Sequence, residues 1–463
     1  MSFETALGPA ASRGKRRHAP ARPEVPRPRP ALARAALVIA GAGLGAVTAL
    51  AIVDETASQL SAPGGVATFA GSLTGLIGTY LALMMVLLIS RIPAIERVLG
   101  QDGLLRWHRR LAPWPISLLV AHALFITVGY AQAARAGIWH QVGILLTKYP
   151  DVLTATIGLG IMCFIGIVSL RAIRSRLRRE TWWLIHLWMY LALAISFAHV
   201  LALGPSFVGH PLTQIVWSVA WAATAGLVLC YRFGLPVVRS LRHRLVVTEV
   251  RPEGPEVVSV ICSGRHLDKL TVAGGQFFCW RFLTPRMWWQ AHPYTLSALP
   301  QPPYLRLTVK GVGDHSAALA KLRPGTKVVI EGPYGAFTRF AQQRKRALLV
   351  AGGIGVTALR SLLEDLPRNS APVVVLRATR AEDMVLATEV AELVRYRHGR
   401  LHEVVGTREQ AALDGQSLTR LVPDLRQRDL YVCGPEGFVA DVVDIAKQIG
   451  VPDEAIHHEA YVL

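Results

Sequence analysis

The sequence predicts a six-span membrane α-helical bundle, then an antiparallel β-barrel, then a doubly wound α/β domain. Three observations predict it. Six apolar stretches lie between residues 35 and 233, each long enough to cross a hydrocarbon core, which takes about 20 helical residues. After about residue 240 the pattern becomes short β-branched runs (RLVVTEV, EVVSVIC, GQFFCWRF, YLRLTVKG, TKVVIEG) punctuated by Gly and Pro. From 345 it becomes continuous apolar strands (RALLVAGG, VVVLRA, LHEVVGT, DLYVCG) separated by helical stretches, as in a parallel sheet.

Taken in order, residues 1–34 form a polar, Pro/Arg-rich tail that reads as disordered and lacks the apolar core of a signal peptide. The bundle occupies 35–233, with spans at 35–53, 66–90, 111–134, 152–170, 181–203 and 211–231. Asp54, Glu55 and the Pro63-Gly64-Gly65 turn separate the first two. The barrel is expected at 240–340 and the α/β domain at 345–463.

The formal charge of +19 would suggest nucleic acid in a soluble protein, but its placement points to membrane topology. Arginines fill the tail, the loop 91–110 (Arg91, Arg97, Arg106, Arg109, Arg110), the loop 171–180 (Arg171, Arg174, Arg176, Arg178, Arg179) and the segment after the last span (Arg232, Arg239, Arg242, Arg244). The alternate loops carry only Arg135 and Lys148. Both termini and the whole second half are therefore expected on the cytoplasmic side of a plasma membrane, with no nucleic-acid partner. The five cysteines make no CxxC, which argues against zinc and iron–sulfur sites.

Four histidines carry the chemistry of the membrane half. His108 and His122 stand fourteen residues apart, and His186 and His199 thirteen. At 1.5 Å per residue each pair is separated by roughly 20 Å along its helix. Spans three and five run in the same direction, so His108 pairs with His186 near the cytoplasm and His122 with His199 toward the outside. Ionisable residues at such depths are usually functional, and imidazole pairs ligate electron-transfer haems. The expected metal ligands are these four, holding two b-type haems. Thirteen residues miss the same helical face by roughly 140°, so span five must be distorted or tilted, or its rings must splay.

In the second half, His292-Pro293-Tyr294-Thr295 ends a strand. Lys310-Gly311-Val312-Gly313-Asp314-His315-Ser316 opens a short helix whose free N–H groups suit a pyrophosphate. Gly352-Gly353-Ile354-Gly355-Val356-Thr357 is a phosphate-cradling turn after an apolar strand, though without GxGxxG spacing. Cys433-Gly434-Pro435 ends the last parallel strand, where ligands of such sheets bind.

In this order, the motifs of residues 243–463 resemble the ferredoxin–NADP reductase superfamily, and the membrane half resembles the ferric reductase and NADPH oxidase family. The resemblance implies a flavin barrel followed by a nicotinamide domain. It places His292 and Pro293 at the FAD pyrophosphate, Tyr294 on the isoalloxazine and Thr295 near its N5. Lys310, Gly313 and Ser316 join the FAD site. Gly352, Gly353, Gly355 and Thr357 hold the nicotinamide dinucleotide phosphates. Cys433, Gly434 and Pro435 lie beside the nicotinamide, and Tyr461 covers the other flavin face. Thr295, Cys433 and Tyr461 are thus the expected catalytic groups. Two departures stand out: Ala358 replaces a frequent proline, and Ile126 stands where eukaryotic oxidases have a further histidine, which weighs against oxygen as acceptor.

Arg377 and Arg380 follow the second parallel strand, with Glu382 and Asp383 behind them. Arginine's planar fork suits a 2′-phosphate, which favours NADPH over NADH. The implied enzyme passes electrons from NAD(P)H through FAD and two haems to an external acceptor, a ferric chelate or oxygen. An alternative makes it the electron donor to a membrane or extracytoplasmic redox partner protein. A third reading, a haem-binding sensor or scaffold without turnover, is disfavoured by the intact glycine turns.

Overall fold

A computed structural model describes residues 30–53, 56–204 and 206–461; the expected disordered tail lies outside these, apart from its last residues. The chain divides into two compact units, Arg29–Phe233 and, in the second half, Gly234–Leu463.

The first unit is helical: α1 (Pro30–Val53), α2 (Ala57–Ser61), α3 (Gly65–Ile89), α4 (Pro93–Leu111), α5 (Pro113–Ala134), α6 (Ile138–Lys148), α7 (Val152–Val168), α8 (Arg171–Arg174), α9 (Arg179–Leu203) and α10 (Pro211–Val228). Among the described residues, five stretches are long and apolar enough to cross a membrane: Arg34–Val53, Gly65–Ile89, Gly103–Ala134, Glu180–Leu203 and Pro211–His243. The fourth expected span is shorter. It is α7, which meets α6 at a 110° bend, and the pair makes a sixth span only if counted together.

Two segments read as loops from sequence are helical. Residues 93–111 form α4, which opens on Pro93 at its first turn with Glu96 behind it and ends on His108, Arg109 and Arg110. That arrangement suits the helix dipole at both ends, and its charges disguised it. Within 135–151, α6 begins after Gly137. Large apolar side chains on the outside of this unit, such as Leu124, Phe164, Trp188 and Ile215, are exposed, as lipid-facing residues are.

In the second unit α11 (Leu235–His243) leads into β1 (Leu245–Gly254). Strands β2 (Val257–Ser263), β3 (Phe277–Phe282), β4 (His292–Thr295), β5 (Tyr304–Lys310) and β6 (Lys327–Tyr334) complete an antiparallel sheet of order β4-β3-β6-β1-β2-β5. An isolated bridge, Leu296 to Leu307, joins its two ends. Phe278, Trp280, Phe282, Leu305 and Leu307 fill its inside. The short helix α12 (Asp314–Ala318) follows β5.

A parallel sheet of order β11-β10-β7-β8-β9 follows, built from β7 (Arg346–Gly352), β8 (Val373–Ala378), β9 (Arg400–Val405), β10 (Arg428–Pro435) and β11 (Ile456–Tyr461). It is flanked by α13 (Val356–Asp365), α14 (Ala387–Tyr396), α15 (Gly415–Leu421) and α16 (Glu436–Ile449). Strand β7 is buried along nearly its whole length, which is why it reads as a continuous apolar run.

Buried charges tie the two sheets together. Arg306, on β5, makes a two-pronged bond to Glu389 of α14 at 2.7 and 2.8 Å. Glu389 also accepts from Arg360 of α13 at 2.8 Å, and Arg360 pairs with Glu364. Glu364 accepts from the Leu299 N–H at 2.9 Å. The carboxyl of Glu389 is pushed up by burial, but its two arginines outweigh this and hold it below the usual carboxylate range.

Candidate functional site

The structure brings the four membrane histidines together as two facing pairs. His108 and His186 have ring centroids 6.1 Å apart, and so do His122 and His199. Two imidazoles sharing one metal through bonds of about 2 Å have centroids about 6 Å apart once the ring radii are added, so both pairs fit a bis-imidazole iron. Helix α9 runs unbroken from Arg179 to Leu203 through His186 and His199. No break in α9 takes up the thirteen-residue phase difference.

Neighbouring α3 orients one member of each pair. His122 Nδ1 lies 2.8 Å from the Gly71 carbonyl and His108 Nδ1 3.3 Å from the Met85 carbonyl. A carbonyl only accepts, so Nδ1 is the donor and Nε2 is left free for a metal. Gly75 makes the closer approach possible, because a Cβ there would lie 2.5 Å from His122 Nδ1. Ile126 packs against the same helix, where a Cβ at Gly71 would meet its side chain at 2.7 Å. The Nδ1 atoms of His186 and His199 are buried and have no hydrogen-bond partner among the described residues. His186 stacks instead on Trp182, with centroids 5.0 Å apart and 25° between the planes.

The expected flavin residues gather at one end of the antiparallel sheet. His292 stacks on His315 at 3.7 Å, and the Tyr294 hydroxyl lies 3.0 Å from His315 Nδ1. Burial, reinforced by the His292 ring, pushes His315 down to about 3, so it stays neutral at physiological pH. Tyr294 is half-buried, Pro293 exposed and Thr295 buried. Lys310 is half-buried at the end of β5. Ser316 Oγ accepts from the N–H groups of Val312 and Gly313 at 3.0 Å each, so those expected pyrophosphate donors are held by the loop itself. His315 was not singled out from sequence; a histidine beside a GxxS loop carries no signal of its own.

The second cluster lies at the C-terminal ends of β7 and β10. Gly352 and Gly434 pack against the Phe438 ring, and a Cβ at Gly355 would lie 2.1 Å from the Cys433 carbonyl. Gly353 has φ +53 and open space where its Cβ would be, so its backbone is the approachable one. Thr357 is buried and donates to the Ile354 carbonyl at 3.0 Å. Cys433 is fully buried, with Sγ 3.3 Å from the Tyr461 hydroxyl. Tyr461 pairs in register with Pro435. Burial and the charge of Glu459 push the Cys433 thiol well up, and burial does the same to the Tyr461 phenol. Cys433 is thus a neutral thiol suited to packing, not a thiolate nucleophile.

Arg377, near the end of β8, and Arg380, just beyond it, are both engaged. Arg377 donates to the carbonyls of Ala378, Gly406 and Thr407. Arg380 is exposed and pairs with Glu382 at 2.7 Å and Asp383 at 3.0 Å. Arg377 and Asp383 line one cleft with Gly353.

Comparison with known proteins agrees with this layout. A ferric reductase like transmembrane component matches residues 74–197, an FAD-binding domain residues 244–338 and an oxidoreductase NAD-binding domain residues 349–444. An NADPH oxidoreductase of Mycobacterium tuberculosis is 28% identical over 183 residues, covering 37% of this chain and 48% of that protein. A flavohemoprotein of Vibrio cholerae is 29% identical over 181 residues, covering 36% and 45%. The chain thus spans about half the length of these curated relatives. Among solved structures, the flavohem-like FAD/NAD binding domain of nitric oxide dioxygenase from Vibrio cholerae aligns at 23% identity and a TM-score of 0.40, over 47% of this chain and 98% of that one. With a ferric reductase-like transmembrane component fused to FAD-binding and NAD-binding domains, this chain matches the ferric reductase and NADPH oxidase family.

Proposed function

We propose that this protein carries electrons across a membrane, from cytoplasmic NAD(P)H through FAD and two b-type haems to an external acceptor. The observation that carries the reading is the two facing histidine pairs, each at 6.1 Å, set between the α4–α5 stretch and α9, in one chain with a nicotinamide–flavin module. The six-span count, with α6 and α7 as one span, the cytoplasmic termini and the flavin barrel belong to this proposal. So do its boundaries at 35–233, 240–340 and 345–463.

FAD, when bound, supplies the conversion of a two-electron hydride into single electrons that haems can accept. The chain's own residues bind and orient. Tyr294 offers a ring for the isoalloxazine, fixed in place by His315, and Thr295 offers a hydroxyl near its edge. Gly353 exposes backbone to the dinucleotide phosphates. Tyr461 would cover the flavin face opposite Tyr294, and Cys433, Gly434 and Pro435 would lie beside the nicotinamide. His108 and His186 would hold the inner iron, and His122 and His199 the outer. Ile126, one turn past His122, offers no hydrogen-bonding or proton-carrying group where a further histidine would stand, which weighs against oxygen as acceptor.

The test is spectroscopic. Purified protein should show about two low-spin b-type haems per chain and one FAD. His122→Ala or His199→Ala should remove one haem and leave flavin reduction by nicotinamide intact. Loss of flavin reduction with both haems retained would overturn the assignment.

A further inference from the structure

Among the described residues, His186 alone of the two α9 histidines stacks on a ring other than its facing imidazole, and that partner is itself anchored. Trp182 lies one helical turn before His186, so both occupy the same face. Its Nε1 donates to Ser169 Oγ at 3.1 Å, at the end of α7. The Arg174 guanidinium also sits over the Trp182 ring, 4.1 Å from its centroid. Arg174 is one of five arginines in the loop 171–180, whose charge the topology argument used only collectively; one of them is singled out by this geometry.

We propose that the Arg174–Trp182 stack is a positioning and tuning device for the inner haem. It fixes the His186 ring, which no hydrogen bond among the described residues orients at Nδ1, and holds a positive charge against the indole that stacks on that ligand. Reduction adds an electron to the haem, so a nearby cation favours the reduced form and raises its midpoint potential. A higher inner potential makes electron arrival from the flavin side more favourable. An indole face attracts a guanidinium and keeps it at this distance, where a free arginine would stay in solvent. This rests on His186 being a haem ligand.

The test is a potentiometric titration of both haems in the purified full chain, for wild type and Arg174→Lys, Arg174→Gln, Arg174→Glu and Trp182→Phe. The midpoint of one haem should fall in the order Lys, Gln, Glu, while the other haem and the rate of flavin reduction by nicotinamide stay at wild-type values. Trp182→Phe keeps an aromatic face but loses the Ser169 anchor, and should broaden the absorbance of that same haem. Two haems with unmoved midpoints across the arginine series would overturn the proposal, as would an equal shift of both haems. A wild type without haem would instead overturn the functional reading beneath it.

Discussion

Gly75→Ala tests whether α3 sets the outer histidine pair. The new Cβ would lie 2.5 Å from His122 Nδ1, 3.0 Å from its Cε1 and 3.1 Å from its Cγ. The ring must swing away, or α3 and α5 must part. Either movement breaks the 2.8 Å bond to the Gly71 carbonyl. Losing that bond costs about 0.5–1.5 kcal/mol, and overpacking a tight seam costs about 1–3 kcal/mol. Gly78→Ala meets only Leu119 and Leu118, at 3.1 Å or more, and Gly160→Ala on α7 meets nothing within 4 Å. Their effects should follow that order, with Gly160→Ala neutral. The assay is haem content per chain together with thermal unfolding in detergent. Gly75→Ala should lose most of the outer haem and unfold several degrees lower. A Gly75→Ala protein with two haems, a wild-type spectrum and unchanged unfolding would refute the reasoning.

Three further outcomes are expected. Glu389→Ala leaves Arg306 and Arg360 buried without their shared partner, a loss of about 3–5 kcal/mol at neutral pH. The folded-state pKa of Glu389 is depressed, so its contribution is present above the unfolded value of about 4.3 and disappears as pH falls through the folded one; thermal unfolding should show the gap between wild type and variant closing below about pH 4. Arg380→Ala should raise KM for NADPH and leave KM for NADH nearly unchanged, because a 2′-phosphate must draw Arg380 away from Glu382 and Asp383; a wild type that prefers NADH, or equal weakening of both, removes this arginine from the site. Reporters fused to either terminus should read cytoplasmic and one within 135–150 external, and the reverse result at either terminus sinks the six-span reading.

What was legible in the sequence is what leaves a one-dimensional trace. Strands β7 and β10 are buried on both faces and read as apolar runs, and the glycines beside them read as turns. The pairing of His108 with His186 and His122 with His199 followed from spacing and span direction alone. Helix α4 was not legible, because its arginines and His108 mimic a loop while satisfying a helix end. The locking of Arg377 by three carbonyls was equally hidden, since those carbonyls lie as far along the chain as Thr407. Composition around VVVLRATR marks a free cation, and only the fold supplies its partners. Gly71, Gly75 and Gly78 did leave a trace: small residues at helical spacing in a membrane span mark a close helix contact.

That glycine seam also accounts for the unequal spacings of the histidines. On α3 the two accepting carbonyls, Gly71 and Met85, are fourteen residues apart, the same interval as His122 and His108, and they run in the opposite sense. One helix with no ligand of its own thus acts as a template for the pair beside it. The α9 pair has no such template, and both its Nδ1 atoms lack partners. His186 is held by its stack on Trp182, so of the two rings it is His199 that is left to adjust to the position the templated pair defines, and a thirteen-residue spacing faces a fourteen-residue one at the same 6.1 Å in both layers. Adjustability at one of the four rings is enough for both imidazole pairs to face each other without demanding that the helices match in phase.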